Sequence, residues 1–174
     1  MMGTVESQPR PHATPEGLTE SARTVRQGSF QLPCSPTTAL SLFTPEGERR
    51  WVGGWDPEYL SGASDEVGAV WRTSHGEDTT WITTDRDDDL VRYARISSNG
   101  TAGLVEVFCS SAVDGTRVRV TYDLTACTAA GFEFLQRFAT NFDDMLEHWR
   151  QATISALAAT PVTGTAEGHG AHDR

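Results

Sequence analysis

The sequence predicts an α+β fold in which an antiparallel sheet packs against one long C-terminal helix. Two features of the chain support this prediction. Strand-like segments in the middle of the chain alternate apolar and polar residues, and short polar turns separate them. A continuous helical pattern follows, and its apolar stripe is so long that only the preceding strands could cover it.

The long helix is predicted over residues 128–157, with Thr128 as its N-cap. At 1.5 Å per residue this helix would be roughly 45 Å long. Leu146, Thr153 and Leu157 widen an apolar stripe whose members recur at alternating steps of three and four. The members of that stripe are Leu135, Phe138, Phe142, Met145, Trp149, Ala152 and Ala156.

The sheet is predicted from six strand segments: 24–32, 68–75, 79–85, 90–97, 102–112 and 116–125. Asn-Gly at 99–100 and Asp-Gly at 114–115 are strong hairpin signals between the later segments. Two short helices are expected after the first strand, one capped by Ser35 and one over residues 48–52. Clean alternation in the last strand directs Tyr122 inwards, whereas the middle strands show no equally clear alternation.

Composition limits the possible functions. The chain of 174 residues fits one domain, predicted over 24–158, with disordered tails at 1–23 and 159–174. A formal charge of −10 argues against nucleic acid and anionic membranes as partners. No segment resembles a secretory signal or a membrane-inserted span, so a cytoplasmic location is expected. Every basic side chain is arginine, which excludes a Schiff-base lysine and a P-loop lysine.

Motifs for catalysis, cofactors and metals are absent from the sequence. It contains no Gly-rich phosphate loop, no Cys-x-x-Cys and no nucleophile elbow, and its three cysteines lack metal-site spacing. Asp85, Asp87, Asp88 and Asp89 lack the spacing and closing glutamate of an EF-hand, so a charged hairpin loop is favoured over a Ca²⁺ site. We therefore expect no cofactor and no metal site. Whether the chain is an enzyme stays open, since the sequence shows no acid–base pair.

The aromatic residues contain the strongest functional signal. We expect a cavity with Trp71, Trp81, Tyr93 and Tyr122 on its floor. Phe138 and Met145 would form its roof from the long helix, and these six residues are the predicted ligand-binding residues. Ligand pockets are mostly apolar with a few polar groups, which tyrosine hydroxyls and indole N–H groups supply. The alternative is that the same residues form a filled aromatic core.

The order of elements and several sequence segments resemble the START-like helix-grip superfamily, also called SRPBCC. The segments are LFTPEGERRWVGGWDPEY, GAVWRT, TTWITT and RVRVTYDLTA, and they are similar to those of bacterial, polyketide cyclase/dehydrase-like members. The superfamily includes polyketide cyclases and aromatases, plant carriers of hydrophobic ligands, and lipid-transfer domains. The resemblance covers residues 24–157 and implies a curved sheet that grips the long helix and leaves a cavity between them.

The resemblance also implies where the cavity opens. In the superfamily the segment equivalent to 44–60 lies near the cavity mouth, so Arg50, Trp51 and Trp55 are expected there. An arginine at the mouth could bind a carboxylate or phenolate of the ligand. The alternative is that the charges of this segment are solvated helix charges.

The expected function is binding of a small hydrophobic or aromatic ligand, lipid-like or polyketide-like, by a monomer or homodimer. One alternative is an enzyme of the polyketide cyclase or aromatase kind, which a buried ionisable residue with a strongly shifted pKa would favour. Another is a protein-interaction module like the activators of the Hsp90 ATPase. A large exposed apolar patch together with a filled core would favour that module.

Overall fold

The computed structural model describes residues 22–64 and 66–159, which form a seven-stranded antiparallel sheet curved around a helix of 30 residues. The strands lie in the order β1-β7-β6-β5-β4-β3-β2. Six consecutive strands therefore form a meander, and β1 pairs with the last of them. The elements are β1 Arg23–Leu32, α1 Pro36–Ser41, α2 Pro45–Glu48, β2 Glu58–Ser61, β3 Val70–Thr73, β4 Thr79–Arg86, β5 Leu90–Ser97, β6 Thr101–Ala112, β7 Gly115–Ala126 and α3 Ala129–Ala158.

The predicted α+β class is confirmed, and so are the long helix and the meander. Two predictions about the strands are wrong. The strand β2 was not predicted, because its four residues are too few to show a period of two. The strand β3 is only four residues long, since the chain turns away after Thr73. The predicted tails fall almost entirely on residues 1–21 and 160–174, which lie outside the described residues.

The helix α2 begins at Pro45 and not at residue 48. Thr44 is its N-cap, and the Thr44 Oγ1 accepts a hydrogen bond of 3.0 Å from the backbone N–H of Gly47. Proline occupies the first helical position, where its fixed φ favours the helix and its missing N–H is not needed. As a result Glu48 is the last residue of α2, and its side chain lies on the inner side of the helix, facing the sheet.

The helix α3 has two adjacent apolar stripes. The first is fully buried and packs mainly on β1 and β7; it consists of Leu135, Phe142, Leu146, Thr153 and Ala156. The second is only half-buried; it consists of Phe134, Phe138, Met145 and Trp149. The packed stripe is therefore rotated from the predicted one, with Leu146 and Thr153 at its centre.

The N-terminal end of α3 is fixed against the β5–β6 turn through backbone contacts. The Cys127 N–H donates to the Gly100 carbonyl at 2.7 Å, and Thr128 Oγ1 accepts from the Gly131 N–H at 3.1 Å. A Cβ atom added to Gly131 would lie 2.2 Å from the Gly100 carbonyl oxygen. Only glycine at position 131 lets the helix begin this close to the sheet.

We expect Gly131→Ala to destabilise the fold by about 1–3 kcal/mol, the usual penalty for atoms forced into filled space. Alanine is the better helix former, so propensity alone would give the opposite sign. Chemical denaturation compares this variant with Gly53→Ala, where an added Cβ has no neighbour within 4 Å. The control should be neutral or slightly stabilising. Equal stability of the two variants would show that α3 is not fixed at this turn.

Candidate functional site

A cavity of about 410 Å³ lies between the concave face of the sheet and the second stripe of α3. Strands β3 to β7 form its floor, α3 forms its roof, and residues of α2 and the following turn close one side. The six residues predicted to bind a ligand all line this cavity: Trp71, Trp81, Tyr93, Tyr122, Phe138 and Met145. Their role in binding stays a prediction.

The part of the floor that β3, β4 and β5 form is a cluster of aromatic side chains. Trp71 and Trp81 are cross-strand neighbours whose rings stack with centroids 5.1 Å apart and planes 8° apart. The Tyr93 ring meets Trp71 edge-on at 5.7 Å, and its hydroxyl donates to the Phe43 carbonyl at 3.1 Å. Trp81 Nε1 donates to the Thr73 hydroxyl at 3.1 Å. These two hydrogen bonds orient the rings of Trp81 and Tyr93, whereas the buried Nε1 of Trp71 has no acceptor among the described residues.

The roof formed by α3 is largely aromatic as well, but its side chains are only half-buried. Phe138 lies against Tyr122 with ring centroids 5.1 Å apart, and Phe134 stacks on Phe138 at 6.1 Å. Met145 and Trp149 continue this surface along α3. Methionine is flexible and polarisable, which lets it adapt to ligands of different shape.

Of the three residues expected at the cavity mouth, only Trp55 lines the cavity. Its indole Nε1 donates to the Pro45 carbonyl at 2.9 Å. The expectation for Trp51 is not met, because its Nε1 donates to the Leu42 carbonyl and its ring packs on Trp149 at 5.2 Å. The Arg50 side chain also points away from the cavity and donates to a backbone carbonyl near the C-terminal end of α3.

The exposed part of the lining belongs to the β3–β4 turn. His75 and Gly76 are its exposed members, and the His75 ring lies 6.4 Å from the ring of Trp55. The cavity therefore opens between this turn and Trp55. Phe134, in the first turns of α3, borders the same region of the wall.

Arg95 is a cavity residue that the sequence analysis missed. It follows Tyr93 by two positions on β5 and therefore shares the inner face of the sheet. Only 9% of its surface is exposed, and its Cζ lies 5.3 Å from the centre of the Trp81 ring. Its Nη2 donates to the Ser97 hydroxyl. Burial lowers the pKa of Arg95, but a guanidinium remains protonated at neutral pH.

Glu48 and Tyr122 are two further polar groups on the cavity wall. Burial raises the pKa of Glu48 well above the usual range of a glutamate. Its residue surface is partly accessible, and Glu48 lines the cavity. Burial also raises the pKa of Tyr122; Arg95 opposes this shift and Glu48 adds to it. The cavity wall thus combines a carboxyl group whose neutral form is favoured by burial, a phenol and a cation, and Glu77 lies at its β3–β4 turn.

Comparison with known proteins identifies the fold. No protein-family model and no curated protein matches the sequence. Norcoclaurine synthase from Thalictrum flavum superposes with a TM-score of 0.60 at 11% identity, covering 91% of this chain and 100% of that chain. The Mll3558 protein from Rhizobium loti gives 0.55 at 19% identity, with 77% and 96% covered. DynU16, a protein in the dynemicin biosynthetic locus, gives 0.54 at 14% identity, with 73% and 46% covered.

The chain has the START-like helix-grip fold. The helix-grip architecture explains why the cavity exists. A sheet curved around one helix touches it closely along the strands at one end, here β1 and β7. The other strands curve away and leave a space lined by large side chains.

Outside the helix-grip cavity the described residues offer few other sites for chemistry. In residues 22–64 and 66–159, no three His, Cys, Asp or Glu side chains lie close enough to hold a metal ion. No helix in these ranges is long and apolar enough to cross a membrane. The cysteines are free, and burial raises the pKa of Cys109 to about 12, which makes its thiol unreactive. The cavity is therefore the candidate site.

Proposed function

We propose that this chain binds one small, largely apolar or aromatic molecule in the helix-grip cavity. The supporting observation is the cavity itself, with about 410 Å³ of space and a mostly aromatic wall. Pockets for small molecules usually measure roughly 300–1,000 Å³ and combine an apolar wall with a few polar groups. Glu48, Arg95 and Tyr122 are such groups here.

The partial exposure of two side chains of α3 also supports a cavity in preference to a filled core. Phe138 and Met145 lie between the helix and the sheet, where a filled core would bury them completely. They are only half-buried, whereas Phe142 and Leu146 on the adjacent stripe are buried. We therefore do not propose the interaction-module function, which a filled core together with a large exposed apolar patch would favour.

A second candidate function is an enzyme of the polyketide cyclase or aromatase kind. The specific observation in its favour is the raised pKa of Glu48 at a cavity that also contains Arg95. A neutral carboxyl can donate a proton, and a nearby guanidinium can stabilise the negative charge that develops on a carbonyl oxygen. This function requires Glu48 to be protonated at neutral pH.

The binding proposal predicts that N-phenyl-1-naphthylamine, a neutral dye that fluoresces in apolar surroundings, binds the folded protein with one-to-one stoichiometry. Met145→Trp should weaken its binding about tenfold, because the larger side chain occupies the cavity. The same change should cost less than about 1 kcal/mol of stability, since overpacking a filled core costs about 1–3 kcal/mol. Dye titration and chemical denaturation measure the two effects.

The matched control is His148→Trp, which adds the same side chain at an exposed position of the same helix. It should leave both dye affinity and stability unchanged. The binding proposal is wrong if the parent protein binds no dye and Met145→Trp destabilises it strongly. That pair of results would mean a solid core between sheet and helix.

A further inference from the structure

Arg95 is a buried cation that has no carboxylate partner among the described residues. The arginines that form ion pairs lie at or near the surface, for example Arg92 with Glu106 at 2.6 Å and Arg72 with Glu58 at 2.8 Å. Arg95 forms no such pair within residues 22–64 and 66–159, although it is more deeply buried than either. Buried charges are usually paired, because leaving water is unfavourable for an isolated charge.

Most hydrogen-bond donors of Arg95 lack an acceptor. A guanidinium has five N–H groups, and the hydrogen bond to Ser97 uses one nitrogen, Nη2. The Ser97 hydroxyl already shares a hydrogen bond of 2.7 Å with Thr79. Nε of Arg95 is buried and has no acceptor in the described part of the chain. The face of the Trp81 ring adds a cation–π contact but accepts no directed hydrogen bond.

Two acidic residues line the same cavity, and neither forms an ion pair with Arg95 among the described residues. Glu77 lies close enough to influence Arg95, but its carboxylate accepts a hydrogen bond from the Asn99 amide. Glu48 lies on the same cavity wall, and burial disfavours its ionised form. Arg95 therefore contributes a positive charge to the cavity wall, and its Nε–H has no acceptor in the described part of the chain.

We propose that the natural ligand has an anionic group, such as a carboxylate or sulfonate, on its apolar or aromatic body and that Arg95 binds this group. The inference rests on the proposed ligand-binding function and specifies its ligand class. Two oxygens of a carboxylate or a sulfonate can accept hydrogen bonds from the fork of donors on a guanidinium. An anion bound there places the rest of the molecule against Trp81 and Tyr122, which line the same cavity.

Two dyes with the same ring systems distinguish the contribution of the anionic group to affinity from that of the apolar body. N-phenyl-1-naphthylamine is neutral, and 8-anilinonaphthalene-1-sulfonate adds one sulfonate. Arg95→Met should raise the Kd of the sulfonate dye at least about tenfold, the usual effect of losing a charge-assisted hydrogen bond. It should change the Kd of the neutral dye less than about threefold, because methionine keeps an apolar stem at the wall.

Arg92→Met is the matched control. Arg92 lies three residues earlier on the same strand, its side chain is half-exposed, and it pairs with Glu106 and Asp85 away from the cavity lining. Its replacement changes the net charge equally and should leave both affinities unchanged. Arg95→Lys keeps the charge without the fork and should give a Kd for the sulfonate dye between those of the parent and Arg95→Met.

The outcomes distinguish this inference from the binding proposal. Equal weakening of both dyes by Arg95→Met, or no weakening of either, would overturn the role of Arg95 and leave the binding proposal intact. Failure of the parent protein to bind the neutral dye would instead contradict the binding proposal. If Arg95→Met does not fold, the NMR signal of the Arg95 Nε–H in the parent protein tests the inference instead. It should shift with the sulfonate dye and not with the neutral one; equal shifts would overturn the inference.

Discussion

Replacing Phe142 with alanine should cost about 3–5 kcal/mol of unfolding free energy, the usual range for a fully packed aromatic ring. Phe142 is only 2% exposed and lies in the stripe of α3 that packs on the sheet. Gly28 on β1 brings the backbone so close that an added Cβ would lie 3.3 Å from the Phe142 ring. Truncation would leave an empty space in a layer that cannot collapse easily.

Phe138→Ala is the matched comparison and should cost clearly less. Phe138 is four residues earlier on the same helix, but it faces the existing cavity and is half-buried. Its removal enlarges that space and creates no new cavity in a packed layer. Urea denaturation of the two variants measures the difference. Equal losses would show that the two stripes of α3 are equally packed, which would contradict the cavity.

Replacing Glu48 with glutamine should stabilise the protein at neutral pH, and the difference from the parent should grow as the pH rises. Burial raises the pKa of Glu48 in the folded state. Above the usual glutamate pKa, the unfolded chain has lost this proton while the folded chain keeps it. The folded state then binds more protons, so the parent loses stability with rising pH until the folded-state pKa is passed. Glutamine does not titrate and removes this loss.

Glu147→Gln is a control with the opposite sign. Glu147 is exposed, and its hydrogen bond from Arg150 lowers its pKa to about 2. A lowered pKa stabilises the folded state above the usual glutamate pKa, so this variant should be slightly less stable than the parent at neutral pH. Thermal denaturation at several pH values measures how the stability of each variant, relative to the parent, changes with pH. Infrared difference spectra between the parent and Glu48→Gln should also contain the carbonyl band of a neutral carboxyl.

A loss of stability in Glu48→Gln at neutral pH would contradict this account. It would mean that the carboxylate is ionised and bound to a partner. The enzyme hypothesis would then lose its supporting observation, whereas the binding proposal would not be affected. The two candidate functions are thus separated by a measurement that needs no substrate.

The sequence predicted the elements of the fold better than the directions of their side chains. A period of two or of 3.6 is visible in long elements, so α3 and the strands from β4 to β7 were placed within two residues. The sequence of the middle strands did not show which side chains point inwards, because the outer face of these strands is also partly apolar. Val70, Ile82 and Ala94 are paired across β3, β4 and β5 on that outer face, and exposed Leu104 follows on β6.

Arg95 and Glu48 show two different reasons for a missed site residue. Arg95 could have been found, because any residue two positions after an inward Tyr93 must share its face. Its charge argued for an outward position, and only the register with Trp81 explains why the cation is buried there. The direction of the Glu48 side chain depends on where α2 begins. The N-cap residue Thr44 was the sequence signal for that beginning. The direction of Trp51 depends on tertiary packing against Trp149, which no local pattern encodes.

The fixed beginning of α3 has a consequence for ligand exchange kinetics. The roof of the cavity cannot lift as a rigid rod, because one end is hydrogen-bonded to the β5–β6 turn and the packed stripe holds it on β1 and β7. A ligand bound as proposed would pass beside Trp55 and the exposed β3–β4 turn, where fewer packed side chains need to move. The residence time of a ligand is then set by local motion at this side wall. Weakening the hydrogen bond from Trp55 to Pro45 would shorten this residence time while leaving the floor of β3–β7 and the roof of α3 unchanged.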